Sequence, residues 1–238
     1  MIQVAGYLEE IQKATSENQK LLAILIDPDK FKEEDSLNFL KCLPEETSHI
    51  FVGGSSVGEG RTCEVVKSLK SYCKFPIVLF PGDHSQISPY ADALLFLSLI
   101  SGRNPEFLIE QQVRSVEKIR STNLEIIPTG YILIDGGKET SVQKVSNTLP
   151  LPQSDVSQIV NTALAGQYSG KKLIYLEAGS GAEYPVSPEI VRAVKSVLEI
   201  PVIVGGGIRS TKQLQKAYEA GADIVVIGTA FENDSFQR

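Results

Sequence analysis

Glu177 closes an apolar run, Lys172–Glu177, and is followed at once by Ala178-Gly179-Ser180-Gly181. Two later runs end in the same manner. Pro201–Val204 leads into Gly205-Gly206-Gly207, and Asp223–Ile227 leads into Gly228-Thr229. Glycine lacks a β-carbon, so backbone N–H groups in such turns close on an anion, and a following helix adds its positive N-terminal end. Two successive turns of this kind near the C-terminus of an α/β chain match the phosphate site after strands 7 and 8 of a (β/α)8 barrel. The pattern points to an enzyme acting on a phosphorylated small molecule.

Strands of such a barrel aim their C-terminal ends at the active site, which makes Glu177 a candidate acid–base group; a salt bridge inside the barrel is its structural alternative. Tyr175 shares the inward parity of Glu177, because side chains alternate along a strand. Its phenol either bonds a substrate oxygen or packs. Asp27 ends an earlier apolar run, Leu21–Ile26, and Pro28 biases it toward an extended backbone. One carboxylate, completed by water and substrate phosphates, is an ordinary Mg²⁺ site, and Ser55 after the next strand offers a neighbouring hydroxyl. His49 and His84 form no metal pair or triad; His49 opens a strand, and His84 lies in a loop that reaches toward the mouth. No G-x-G-x-x-G follows an early strand.

These residues need a scaffold, and the periodicity supplies one. A helix over Val4–Thr15 precedes the strand Leu21–Ile26, whose unbroken apolar character suits a strand buried on both faces. Then follow a helix Glu33–Leu43, a strand His49–Val52, a helix Thr62–Tyr72 and a strand Pro76–Phe80. Pro81–Pro89 is too rich in breakers for a normal helix. The fourth strand, Ala91–Leu97, comes directly after it. A helix Pro105–Ser121 and a strand Glu125–Ile127, irregular to Ile134, lead to a polar excursion over the mouth, Gly136–Pro152. The remaining helices are Ser154–Gln167 with Ser154 as N-cap, Pro188–Leu198 and Ser210–Ala220, and the tail is Phe231–Arg238. The expected architecture is α/β: a single (β/α)8 TIM-type barrel over residues 1–238 with its third helix missing or reduced.

Bulk properties agree. A chain of 238 residues suits one barrel, typically about 250 residues long. The net charge of −6 argues against a nucleic-acid binder. Cys42, Cys63 and Cys73 form no C-x-x-C pair, which favours a reducing, cytoplasmic setting. The N-terminus carries no signal-peptide pattern, and no apolar run approaches the roughly 18 residues of a membrane span.

In order along the chain stand Leu25-Ile26-Asp27-Pro28-Asp29-Lys30, Val52-Gly53-Gly54-Ser55, Tyr131–Ile134, Tyr175–Gly181, Val204–Arg209 and Ile227-Gly228-Thr229. Together they resemble the geranylgeranylglyceryl phosphate synthase family over essentially the whole chain, the Tyr175–Gly181 block being the most specific element. The resemblance implies Mg²⁺-dependent transfer of a long prenyl group from its diphosphate to the 3-hydroxyl of sn-glycerol 1-phosphate, in phospholipid biosynthesis, by a barrel lacking its regular third helix. It implies glycerol phosphate contacts at Tyr175, Leu176, Glu177, Ala178, Gly179, Ser180, Gly181, Gly206, Gly207, Gly228 and Thr229, with metal at Asp27 and Ser55. Leu25 stands where the heptaprenyl-transferring branch has lysine, which places the chain nearer the geranylgeranyl branch. Asp135–Glu139 departs from the Asn-Pro-Gly version of archaeal members. The expected assembly is a homo-oligomer with no more than peripheral membrane contact. A sugar-phosphate isomerase or synthase, and a non-catalytic phospholigand binder, remain the alternatives.

Overall fold

Strands buried on both faces need apolar residues at every position, and the run Leu21–Ile26 becomes strand β1 with those bounds. The computed structural model of the protein describes residues 6–232 and 235–237. After helix α1 (Tyr7–Ser16) come β1, α2 (Ser36–Lys41), β2 (Thr47–Val52), α3 (Arg61–Lys70), β3 (Ile77–Leu79) and β4 (Ala93–Leu99). Next are α4 (Gln111–Ile119), β5 (Glu125–Leu133), α5 (Ser141–Ser146), α6 (Val156–Tyr168) and β6 (Leu173–Glu177). The chain ends with α7 (Pro188–Lys195), β7 (Val202–Gly205), α8 (Thr211–Ala220), β8 (Ile224–Ile227) and α9 (Thr229–Glu232). All neighbouring strands pair in parallel, and β8 returns to β1, closing the barrel in sequence order.

Residues 80–92, between β3 and β4, form turns rather than a helix, as their breaker content predicts. This strap is nonetheless built in. Gln86, Ile87 and Ser88 are buried, and Gln86 grips both polar atoms of the Gly54 backbone, accepting from its N–H at 3.2 Å and donating to its C=O at 2.8 Å.

Several expectations need correction. β5 is one continuous strand through Pro128 and Gly130 rather than a short strand with an irregular extension. The mouth excursion is not wholly irregular: Thr140 caps α5 by accepting from the Gln143 amide, and Leu151 bridges to Ile134. Asp155, not Ser154, is the N-cap of α6. The helix expected from Pro105 opens with a π-type run, Glu106–Glu110, and that expected from Glu33 opens as a 3-10 turn. Val4, placed in the first helix, lies outside the described residues.

The end of the barrel away from the glycine turns is pinned by carboxylates. Glu125 accepts the first amides of α1, from Tyr7 at 2.5 Å and Leu8 at 3.1 Å, so that Ile11 and Ala14 cap the barrel interior. Asp223, buried just ahead of β8, accepts from the Val202 amide at 2.8 Å and from Lys195 Nζ at 2.6 Å. Hydrogen bonds to a buried charge are among the stronger single contributions to stability. Asp223→Ala is therefore expected to cost about 3 kcal/mol in urea unfolding, with turnover below the transition retained because the site lies at the opposite end. A loss under about 1 kcal/mol would contradict this assignment.

Candidate active site

Alternation along β6 sorts its side chains. Leu173 and Tyr175 face into the barrel, whereas Ile174 and Leu176 pack outward against Ile190 and Val191 of α7. Glu177 continues the inward set. Below it, aromatic rings fill the barrel: Phe80 lies 5.1 Å from Tyr175 and 6.1 Å from Tyr131, and the two tyrosines are 5.4 Å apart between centroids. This layer is the floor on which the polar groups sit.

Glu177 is only 5% exposed. Its Oε1 accepts from the Gly179 amide at 2.7 Å, which is possible because Gly179 adopts a left-handed conformation at φ +98°. A β-carbon on Gly206 would meet that same Oε1 and the amides of Gly179 at 2.6 Å and Ala178 at 2.9 Å. Burial raises the carboxyl pKa to about 7, against smaller lowering effects of the nearby Tyr175 phenol and the Gly179 amide. The Tyr175 hydroxyl is close enough to favour the charged carboxylate, yet no hydrogen bond of normal geometry joins them, leaving a fully buried Oη without a partner. Burial and the Glu177 charge hold both Tyr175 and Tyr131 well above ordinary phenols, so each keeps its proton.

Above this floor opens a cavity. Tyr175, Glu177, Ser180, Gly181, Gly206, Gly207, Gly228 and Thr229 line it, and Ser180 and Thr229 join their hydroxyls across it at 2.9 Å. Three residues of the sequence motif are placed differently. Leu176 and Ala178 turn their side chains into the outer packing layer, because parity carries them to the far face of the strand. The Gly179 amide is already taken by Glu177, and the Ala178 amide by the Gly205 carbonyl at 3.1 Å.

Asp27 and Ser55 line the opposite wall. Asp27 Oδ2 pairs with Lys30 Nζ at 2.8 Å, and Oδ1 lies 3.1 Å from where a Gly54 β-carbon would stand. Among the described residues no cluster of three or more His, Cys, Asp or Glu side chains is arranged to hold a metal ion. An oxygen-only donor set of one carboxylate and one hydroxyl fits Mg²⁺, which retains water and substrate phosphate oxygens rather than requiring a protein cage.

A second, apolar cavity runs beneath the strap. Ile87, Leu95, Leu97, Leu99 and Phe107 line it, and it shares Gly54, Ser55, Phe80, Tyr131, Val142 and Val145 with the polar cavity. His84 lies on its rim, and its Nδ1 donates to Gln111 Oε1 of α4 at 2.9 Å. His49 sits inside β2 away from both cavities, where burial lowers its pKa to about 4. Sequence reasoning missed Lys30, Phe80, Lys144 and Arg209 as lining residues. Lys30 and Arg209 stood inside quoted motifs, whereas nothing local marked Phe80 or Lys144.

Comparison with known proteins follows this geometry. The PcrB family model matches residues 14–238. The chain is 55% identical over 230 residues to the geranylgeranylglyceryl phosphate synthase of Zunongwangia profunda, covering 97% of this chain and 98% of that one. It is 43% identical over 230 residues to the enzyme of the same name from Pyrococcus furiosus, covering 96% and 91%. The crystal structure of (S)-3-O-geranylgeranylglyceryl phosphate synthase from Thermoplasma acidophilum in complex with sn-glycerol-1-phosphate superposes with a TM-score of 0.89 at 34% identity, covering 97% and 93%.

The Glu177 environment sets a pH dependence of stability. A carboxyl raised from 4.5 to about 7 on folding binds its proton more tightly in the native state. Its destabilising effect is therefore absent below pH 4.5, grows as pH rises to about 7 and is constant above. Glu177→Gln removes it and should raise unfolding free energy at pH 8 by up to about 3 kcal/mol, with little effect at pH 4.5. Denaturant titrations at the two pH values check this; an increment independent of pH contradicts it.

Proposed function

The chain belongs to the PcrB family, and we propose that it is a prenyltransferase that moves a geranylgeranyl or similar long prenyl group from its diphosphate to the 3-hydroxyl of sn-glycerol 1-phosphate. The observation that carries this reading is the junction of the two cavities, one polar and flanked by glycine turns, the other apolar and beneath the strap. A sugar-phosphate isomerase has use for the first and none for the second.

The acceptor's phosphate is assigned to the turns at Gly206-Gly207 and Gly228-Thr229, with the Ser180 hydroxyl facing Thr229. This places the glycerol hydroxyls over Tyr175 and Glu177, and fixing their orientation removes much of the entropy cost of the encounter. The donor's diphosphate is assigned to the wall of Asp27, Lys30 and Ser55, its hydrocarbon tail running past Phe80 into the apolar cavity. Asp27 and Ser55 would hold Mg²⁺, which when bound supplies Lewis-acid neutralisation of the leaving group. As the bond between the allylic carbon and diphosphate breaks, the acceptor oxygen forms the new C–O ether bond and its proton passes to Glu177. A base with a pKa of about 7 is matched to that transfer near neutral pH. Among the described residues no helix is long and apolar enough to cross a membrane.

Incubation with sn-glycerol 1-phosphate and a panel of C10 to C35 prenyl diphosphates, followed by product mass, is expected to show one prenyl glycerol phosphate ether. Formation should cease with EDTA. Glu177→Gln should lower turnover about 10²- to 10⁴-fold while calorimetry still records acceptor binding. Absence of an ether product with every donor, or near-normal turnover in this variant, would overturn the reading.

The tail assignment is tested separately. Each buried CH₂ contributes roughly 0.8 kcal/mol, so distal isoprene units dominate donor affinity. Leu97→Trp, inside the apolar cavity, is expected to raise KM for the C20 donor by about tenfold or more and to spare the C10 donor. Equal effects on both donors would place the tail elsewhere.

A further inference from the structure

We infer that Arg209 is a positioning residue for the acceptor's phosphate, acting through the loop between β6 and α7. It stands just past the glycines of the β7 turn, and its guanidinium donates to three consecutive carbonyls of that other loop. These are Gly181 at 3.3 Å, Ala182 at 2.5 Å and Glu183 at 3.2 Å. Carbonyl oxygens repel phosphate, and these three flank Ser180 and Gly181 on the cavity wall. Turning all of them onto one cation leaves the cavity side to hydroxyl and amide donors.

Arg209 is itself held on both sides. Its amide donates to Gln213 Oε1 at 2.7 Å, and its carbonyl accepts from the Gln237 amide at 2.9 Å. The loop it grips has a second anchor, the Gly136 carbonyl, which accepts from the Glu183 and Tyr184 amides at 2.7 and 3.3 Å. Gly207 lets the two turns meet, since a β-carbon there would fall 2.8 Å from the Pro185 nitrogen. With the Ser180–Thr229 hydroxyl pair, Arg209 makes the turns after β6, β7 and β8 one unit. The planar guanidinium reaches the three carbonyls from two nitrogens held in fixed geometry, whereas a lysine would present all its donors from one nitrogen.

The inference rests on the reading that the polar cavity takes sn-glycerol 1-phosphate. Calorimetric titration of that acceptor into wild type, Arg209→Ala and Arg209→Lys, without donor, tests it, alongside steady-state kinetics and thermal melting to establish that each variant is folded. Arg209→Ala is expected to weaken acceptor binding about 10- to 100-fold and to raise the acceptor KM in parallel. The kcat at saturating acceptor and the donor KM should stay within about twofold. Arg209→Lys keeps the charge but should recover little of the affinity. Full recovery by lysine would show a simple point-charge contact and overturn the inference, as would unchanged affinity in the folded alanine variant. Wild-type protein that fails to bind the acceptor would remove the acceptor reading, a result seen before any variant is compared.

Discussion

A carboxylate withdrawn from water must recover its lost hydration from fixed dipoles, and inside this barrel Glu177 recovers part of it from the Gly179 amide at 2.7 Å. The surrounding backbone is shaped by that hydrogen bond. The chain must reverse within two residues of the strand end, which sets Gly179 at φ +98°. The neighbouring strand must also stay clear. Side chains at Gly205 or Gly206 would run into the Glu177 carboxylate, so the acid by itself demands glycine at these two positions. One amide is incomplete compensation. The remaining cost appears as a pKa of about 7, the range in which a carboxyl group exchanges protons at neutral pH.

The missing third helix follows from a second constraint of close approach. Gly82 passes so near the Gly54 carbonyl and Ser55 that a side chain there is excluded, and Gln86 then locks the Gly54 peptide from both sides. A strap tied this tightly to the β2 turn stands in for the helix over β4: its Ile87 shares a buried cluster with Leu94 and Phe96, and all three line the apolar cavity. The same tie holds Gly54 against Asp27 Oδ1. A single buried amide side chain thus connects the shape of the apolar cavity to the placement of the Asp27 and Ser55 oxygens beside it.

What was legible in the sequence was whatever local pattern determines. β1 was readable to the residue because every position in it is apolar and Asp27-Pro28 ends it. Breakers at Pro81, Gly82 and Pro89 betrayed the absent helix. Pattern failed where tertiary contacts decide. The local pattern gives the fifth strand as Glu125–Ile127 with an irregular extension, but the Pro128 carbonyl still accepts from the Lys172 amide at 2.7 Å, and β5 continues through it. α5 was hidden in polar sequence because its short helix relies on the Thr140 cap and on packing of Val142 against the barrel cluster. At the site, parity alone separated Tyr175 and Glu177 from Leu176 and Ala178, whereas motif resemblance had swept all four together. Phe80 and Lys144 carry no motif, and only barrel closure brings them to the cavity.

Charge at the mouth has a consequence for the base below it. Both substrates of the proposed reaction are anionic, and anions near Glu177 raise its pKa further, so that more of it would start protonated and unable to accept. Lys30, Lys144 and Arg209 line the cavity of a chain whose net charge is −6, so the positive field there is local. The three cations are not equivalent. Lys30 is paired with Asp27 at 2.8 Å and Lys144 with Glu139 at 3.2 Å, so each must exchange a carboxylate for a substrate oxygen before its charge is felt. Arg209 is held by neutral carbonyl oxygens, and its charge persists whether or not the cavity is filled. It therefore keeps the Gly181, Ala182 and Glu183 carbonyls gathered on itself without the ionic exchange that the two lysines undergo.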